Sequence, residues 1–525
     1  MNHFYKIVHS DYLQRTRSYA FLITLAISLY ATYSFIPLPD AGYTTLRIGN
    51  FVGVNNAAWT GYVTAMMTSV FLSLIGFYLV NSNIKKDVDT GVGMIIATTS
   101  ITNFRYLLSK AVSNFLVLLS ITGLIFLMSI FVFLFRHAGY PFEIIHFTIP
   151  FILITLPAIF FISSLAVFVE VFLYRYPILI NIGFFFIFLP ILGAKSDLSV
   201  IFDVTGIKTV TLGMQELISQ RYGVIDPEAS MGFIFGGKTK LSYFTFQGID
   251  WSLFYVFTRL LWIGAGIGLT YVSSLFFHRF EIKLRVKKQK KPAAPVIPGV
   301  QEFPPVSAGF TVPQEIKLLS LAKITASYKI SPLIKTELIM LLRKGPKWLW
   351  LVNIAGMLAL IFSPLNIAHQ ILLPVLWFLQ IGRWSDLVTK EKTYRVHYFS
   401  YTSYQPLSRL FSAQLLAGML LSIGLATPLM IRLLMTAQLM PVLYILMGAI
   451  FIVLLAVFVG LITGGKKLFE ILFFLITYSN VNKIPFIDYF GGVNHPANYP
   501  VYLAGIIILL ALMSYQWRRF EISRL

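Results

Sequence analysis

The sequence predicts an all-α polytopic membrane protein of about 12 transmembrane helices in two six-helix repeats, with the N- and C-termini cytoplasmic. Three observations carry that prediction. Apolar residues make up 57% of the chain and charged residues 12%, with a mean hydropathy of +0.77, a balance that water-soluble domains do not have. Apolar runs near the roughly 20 residues that cross a bilayer as helix recur along the whole length. A basic, Pro-containing stretch over residues 278–347 separates these runs into two sets.

Residues 1–277 hold runs at about 19–37, 61–81, 112–135, 148–172, 177–194 and 252–277; residues 348–525 hold them at about 348–364, 369–383, 410–433, 438–462, 468–480 and 499–517. The runs at 369 and 468 are short. The linker over 278–347 carries 14 of the 42 Lys and Arg, and its Pro clusters break helix. Short Lys/Arg-rich segments resist translocation, so the linker and the pre-span helix at its end are expected in the cytoplasm. Lys85, Lys86, Arg105 and Lys110, then Arg383, Lys390, Lys392, Arg395 and Arg409, then Arg518, Arg519 and Arg524 all fall on that side. The longer loops, Asp40 to Thr60 and the loop over 195–250, then lie outside, the second long enough for short helices on the outer membrane face.

This distribution makes the net charge of +21 an orientation signal and argues against a nucleic-acid partner. The absence of cysteine excludes disulfides and thiolate metal sites. No small-residue cleavage site follows the first apolar run, so a removed signal peptide is not expected.

The halves echo one another. Asp11 and Arg17 match Glu337 and Arg343 at a spacing of 326; Thr99-Ser100 matches Thr402-Ser403 at 303; Arg279-Phe280-Glu281-Ile282 matches Arg519-Phe520-Glu521-Ile522 at 240. The spacing shrinks in two steps that are about the lengths of the two outer loops, which the second half lacks.

Gly232 to Thr239 satisfies the phosphate-loop pattern G-x-x-x-x-G-K-[ST], yet the pattern needs a strand before it and a helix after it. LSYFTFQGID is a poor helix start and the segment is expected outside, so a Gly-rich turn is the better reading. The loop after the second span, NSNIKKDVDTGVGMIIATTSITNFRYLLSK, runs from charges through Thr90-Gly91 and an apolar turn to Thr/Ser residues that cap the third span. The loop after the eighth span has the same order. A short helix with a charged edge suits docking on a soluble partner.

In these features the chain resembles the permeases of ABC-2 type ATP-binding cassette exporters. The likeness rests on a basic amphipathic helix before the first span, a coupling helix between spans two and three, and an outer loop between spans five and six. It implies an interface helix around Arg15 and Arg17, repeated at Arg343 and Lys344. It implies coupling residues Lys86, Asp87, Asp89, Thr90, Thr99 and Ser100, with Glu391, Thr393, Thr402 and Ser403 in the second half. Here the order is Thr-Gly where those permeases have Gly-Thr, and Asp386 is set further back, which predicts unequal docking surfaces. The resemblance implies a transport subunit without its own ATPase site, in the cell inner (cytoplasmic) membrane. Two copies of a separate ATPase subunit would carry the ATP and magnesium, membrane lipid would surround the chain, and the path would be lined by spans one, two and five of each half. The cargo would be amphipathic, lipidic or peptide-like.

A secondary transporter of the major facilitator class shares the span count and the long central loop, but its Gly-x-x-x-Asp-Arg signature is missing from the loop after span two. Charges inside spans mark function when present. Glu170 and Arg259 are the two candidates for a pathway, with snorkelling as the alternative for Arg259. No zinc-protease pattern or catalytic carboxylate pair stands out, and His137, His146, His369, His397 and His495 are isolated.

Overall fold

A computed structural model describes residues 2–38, 41–81, 83–137, 139–173, 180, 183–184, 203–224, 227–235, 241–277, 328–481, 487–493 and 498–524. Most of the run at 177–194 and the linker over 278–327 lie outside the described residues.

Helix α1 (Asn2–Thr16) turns by 70° into α2 (Tyr19–Phe35), and Ser18 caps α2 by accepting from the Phe21 amide at 3.2 Å. Helix α3 (Ala57–Val80) starts at the Asn56 cap and is buried at every position except Val70 and Phe71, so it is the axis around which the first half packs. The short helices α4 (Asn83–Asp89) and α5 (Val92–Ala97) follow. Thr102 then caps α6 (Asn103–Arg136), accepting from the Arg105 amide. Helix α7 (Ile145–Leu173) carries a π turn at Phe151–Thr155 directly after Pro150, where the missing amide loosens the ladder.

The outer loop over 195–250 was expected to form short helices. Its described residues hold one, α8 (Ile207–Tyr222), whose buried Val210, Met214 and Ile218 repeat every four residues. Two further described segments of the loop pair with strands from residues 43–53 as a four-stranded sheet. Strands β1 (Tyr43–Ile48), β2 (Phe51–Gly53), β3 (Ala229–Phe235) and β4 (Ser242–Phe244) lie in the order β3-β1-β2-β4. Register runs from Tyr43 opposite Phe235 to Ile48 opposite Ala229. Gly232 sits inside β3, and the chain resumes as β4 after the phosphate-loop pattern, not as the helix such a loop feeds. Helix α9 (Leu253–Phe276) closes the first half.

The second half repeats the opening bend: α10 (Ser331–Arg343) turns by 98° into α11 (Trp348–Phe362). Then come α12 (Leu365–Phe378), the short α13 (Ile381–Trp384), α14 (Lys390–Thr393) and α15 (His397–Tyr401), followed by α16 (Leu407–Met435), α17 (Leu439–Thr463), α18 (Lys467–Val481) and α19 (Tyr499–Ser523). Seven helices of the described residues are long and apolar enough to cross a membrane, or nine when each bent pair counts as one span. This is a multi-pass helical membrane protein. Beyond those nine, the expected run at 177–194 lies mostly outside the described residues, and α12 (Leu365–Phe378) and the 15-residue α18 are shorter than the roughly 20 residues that cross a bilayer.

One contact occurs in both halves. Arg136, at the end of α6, donates through Nη1 to the Tyr33 carbonyl at 3.0 Å and to that of Ile36, beyond the last turn of α2. Arg432, near the end of α16, donates through Nη1 to the Ser363 carbonyl at 2.9 Å and to that of Leu360, at the end of α11. The last carbonyls of a helix have no intrahelical partner, and a guanidinium both satisfies them and meets the negative end of the helix dipole. Arg432→Met is therefore expected to cost about 1–3 kcal/mol, read as a lower thermal unfolding midpoint in detergent, whereas Arg432→Lys recovers part of it. Equal midpoints for Met and parent would assign the contact no structural weight.

Candidate functional site at the linker end of the bundle

The end of the bundle from which the linker leaves gathers most of the buried charge. Helix α1 brings Asp11, α4 brings Asp87, and Lys110 sits two turns into α6. The Lys110 ammonium, 1% exposed, lies 2.7 Å from Asp11 Oδ2 and 2.7 Å from Asp87 Oδ2. Tyr106 donates its hydroxyl to Asp87 Oδ2 at 2.7 Å, and Asn83 donates to Asp11 at 3.4 Å. Glu170, near the C-terminal end of α7, accepts from the backbone amides of Asn83 at 3.1 Å and Lys85 at 2.8 Å, the orphan donors at the start of α4. Arg15 donates to the Val80 carbonyl at 3.0 Å.

The second half builds the equivalent joint from different residues. Glu337 on α10 pairs with Lys390. Glu391 accepts from Gln414 Nε2, Gln414 accepts from Arg518 Nη2 at 3.3 Å, and Arg518 also donates to the Tyr401 hydroxyl. Lys392 pairs with Glu521. Asp386 holds two ammonium groups, Lys344 at 2.6 Å on Oδ2 and Lys466 at 2.6 Å on Oδ1. Burial alone would raise the Asp386 carboxyl, but those two cations outweigh it and hold it below its ordinary range. Burial also draws Lys344 down to about 8, since one carboxylate shared between two lysines offsets the desolvation incompletely. Burial raises the Glu391 carboxyl despite Lys390 and Arg518 nearby.

The residues expected at the docking edge divide between buried and exposed positions. Asp87 and Glu391 are buried, 8% and 4% exposed, and both are spent on internal partners. The side chain of Asp89 lies outside the described residues. The small polar residues satisfy their own helices: Thr90 donates to the Lys86 carbonyl, Thr99 to Ile96, Thr393 to Thr389, Thr402 to Tyr398 and Ser403 to Ser400. Lys86, Ser100, Arg17 and Arg343 are exposed. Beside these polar groups the two loops also expose large apolar side chains: Val92, Met94 and Ile95 on α5, and Tyr394, Val396, Tyr398 and Phe399 around α15, with Ile95 69% and Phe399 81% exposed.

The two pathway candidates are far apart in role. Glu170 secures α4. Arg259 does not snorkel: it is 2% exposed, with its guanidinium 4.6 Å from the Tyr255 ring centre, beneath Gly206, the cap of α8 at the opposite end. Lys110, Gln414, Lys466, Lys467 and Arg518 were missed. Arg518 was legible as a charge bordering an apolar run but counted only as an orientation signal, and Lys110 was matched to the coupling region without its role between two carboxylates. Among the described residues no group of three or more His, Asp or Glu is placed to hold a metal.

Lys110→Met leaves two buried carboxylates facing each other, which should cost about 3–5 kcal/mol and sharply reduce accumulation of folded protein. Adding Asp11→Asn and Asp87→Asn to that variant should restore much of the loss, measured as monodisperse protein recovered in detergent; no rescue would mean that Lys110 acts through packing alone. The folded-state value of Asp386 is depressed, so its contribution is full above the unfolded value of 3.8 and lost as pH falls through the folded one. The stability gap between parent and Asp386→Asn should accordingly narrow below about pH 4.

Compared with protein-family models, with curated proteins and with solved structures, the chain has no match.

Proposed function

We propose that the chain is the membrane-spanning permease subunit of an ATP-binding cassette exporter, built as two fused six-span halves with both termini in the cytoplasm of a cell whose inner membrane it occupies. A pair of separate ATPase subunits docks below and hydrolyses ATP with magnesium. The cargo is amphipathic, lipidic or peptide-like and leaves through the seam between the halves. The observation that carries this reading is the pair of loops at one end, each fixed to a pre-span helix by a buried carboxylate–lysine contact and each tipped with bare apolar side chains.

That pairing suits force transmission. A push on Ile95 reaches α1 and α6 through Asp87 and Lys110, because a buried ion pair cannot be pulled apart without leaving charges uncompensated. A push on Phe399 reaches α16 and α19 through Tyr401, Arg518 and Gln414. The acidic groups that the resemblance assigns to docking become the roots of the lever, and the aliphatic and aromatic tips become its handle. The packing between halves, α18 against α3 and α2, involves the first, second and fifth spans that the resemblance names.

Purified chain alone should hydrolyse no ATP; hydrolysis abolished by Lys238→Ala would overturn the assignment. With the ATPase subunit present, Ile95→Asp and Phe399→Asp should each lower transport-coupled hydrolysis, on the order of tenfold for the pair together, while leaving folded yield unchanged. Insensitivity of hydrolysis, assembly and transport to both would favour a secondary transporter. In this cysteine-free chain, Ser230→Cys should react with an impermeant thiol reagent on intact cells and Gln289→Cys should not; the reverse would invert the topology.

A further inference from the structure

The turn between α17 and α18 reads Gly464-Gly465-Lys466-Lys467, and its two lysines leave in opposite directions. Gly464, at φ +61°, ends α17 with its amide on the Gly460 carbonyl, a left-handed position that suits glycine. Thr463 Oγ1 fixes the turn, donating to the Gly465 carbonyl at 3.1 Å. Lys466 stays within its own half, 2.6 Å from Asp386, just past the end of the second span there. Lys467 crosses to the other half. Its ammonium donates to the Leu79 carbonyl at 3.4 Å and to the Asn81 carbonyl, at the end of α3. The intervening Val80 carbonyl is taken by Arg15, so two cations cover the negative end of the most enclosed helix in the molecule. Two turns further on, Phe474 of α18 meets Tyr78 of α3 with ring centres 4.7 Å apart.

We propose that this turn is a clasp that shuts the seam between the halves at the linker end, and that opening of that end begins with release of Lys467 from the α3 carbonyls. Lys466 and Lys344 share a buried carboxylate, whose exposure without its partners is costly, so that arm stays fixed. Lys467 rests on backbone carbonyls that water can satisfy once the seam parts, so that arm is the one that lets go. The clasp follows from the contacts across the seam and holds whether ATP or an ion gradient drives transport.

The test uses the full chain in membranes with Tyr78→Cys and Phe474→Cys as the only cysteines and a short bifunctional thiol reagent. The parent pair should cross-link efficiently. Adding Lys467→Gln should slow cross-linking about tenfold, as expected for loss of one charge-assisted hydrogen bond, while Lys467→Arg preserves it and Lys466→Gln changes it little. If Lys467→Gln does not accumulate, Gly464→Ala, which strains the turn and keeps both charges, should give the same direction of change. Cross-linking unaffected by Lys467→Gln and Gly464→Ala, or equally sensitive to Lys466→Gln, would overturn the clasp. Because the readout needs neither ATPase subunit nor substrate, its outcome is independent of the proposed transport cycle.

Discussion

Lys110 between Asp11 and Asp87 is the contact on which the linker end of the first half depends. An ammonium with 1% exposure cannot sit two turns into an apolar helix without compensation, and two carboxylates at 2.7 Å supply it. One carboxylate comes from the helix before the first span and the other from the helix after the second. The burial of any one of these charges therefore requires that α1, α4 and α6 already be in place. A bend of 70° between α1 and α2 follows from the same requirement, since α1 must lie across the base of α6 to bring Asp11 to Lys110.

The second half meets the same constraint with the charge moved. Gln414 stands in α16 much as Lys110 stands in α6, so the positive charges come from Lys390, on the loop, and Arg518, on the last helix. The last helix thereby becomes part of the joint. The echoing carboxylates Asp11 and Glu337 keep their role, each holding a lysine, though the lysines come from different elements. A repeat can diverge in this way because a buried carboxylate specifies a cation nearby, not the helix that delivers it.

The apolar runs were legible because hydrocarbon-spanning helix imposes its composition on the whole segment. The short run at 468 is α18, while the sharp bends before α2 and α11 were not legible, since they depend on what the preceding helix packs against. The sheet escaped notice because β1 finds β3 some 186 positions later, from Tyr43 to Ala229, and strands of three to seven residues have no signal of their own. The burial of Asp87 was not legible for a related reason. Charges in a polar loop suggest exposure, but Asp87 is drawn inward by a lysine that lies beyond the loop, at the edge of an apolar run. Local sequence gives the charge; only the tertiary partner decides which way it faces.

The two ends of the molecule are held by different physics, and this difference sets where movement is cheapest. At the sheet end, Asn56 donates to the Phe246 carbonyl at 2.5 Å, Tyr62 stacks on Trp251 at 5.6 Å, and the strands lace both outer loops of the first half together. Backbone ladders and aromatic stacks of this kind are lost all at once or not at all. At the linker end the contacts are made by single side chains, some of them from a cation to a backbone carbonyl. Replacing such a contact by water costs little once the neighbouring helices separate, whereas a ladder offers no intermediate. Within the first half the sheet end is therefore expected to move as one unit, and the linker end to be where contacts are exchanged singly.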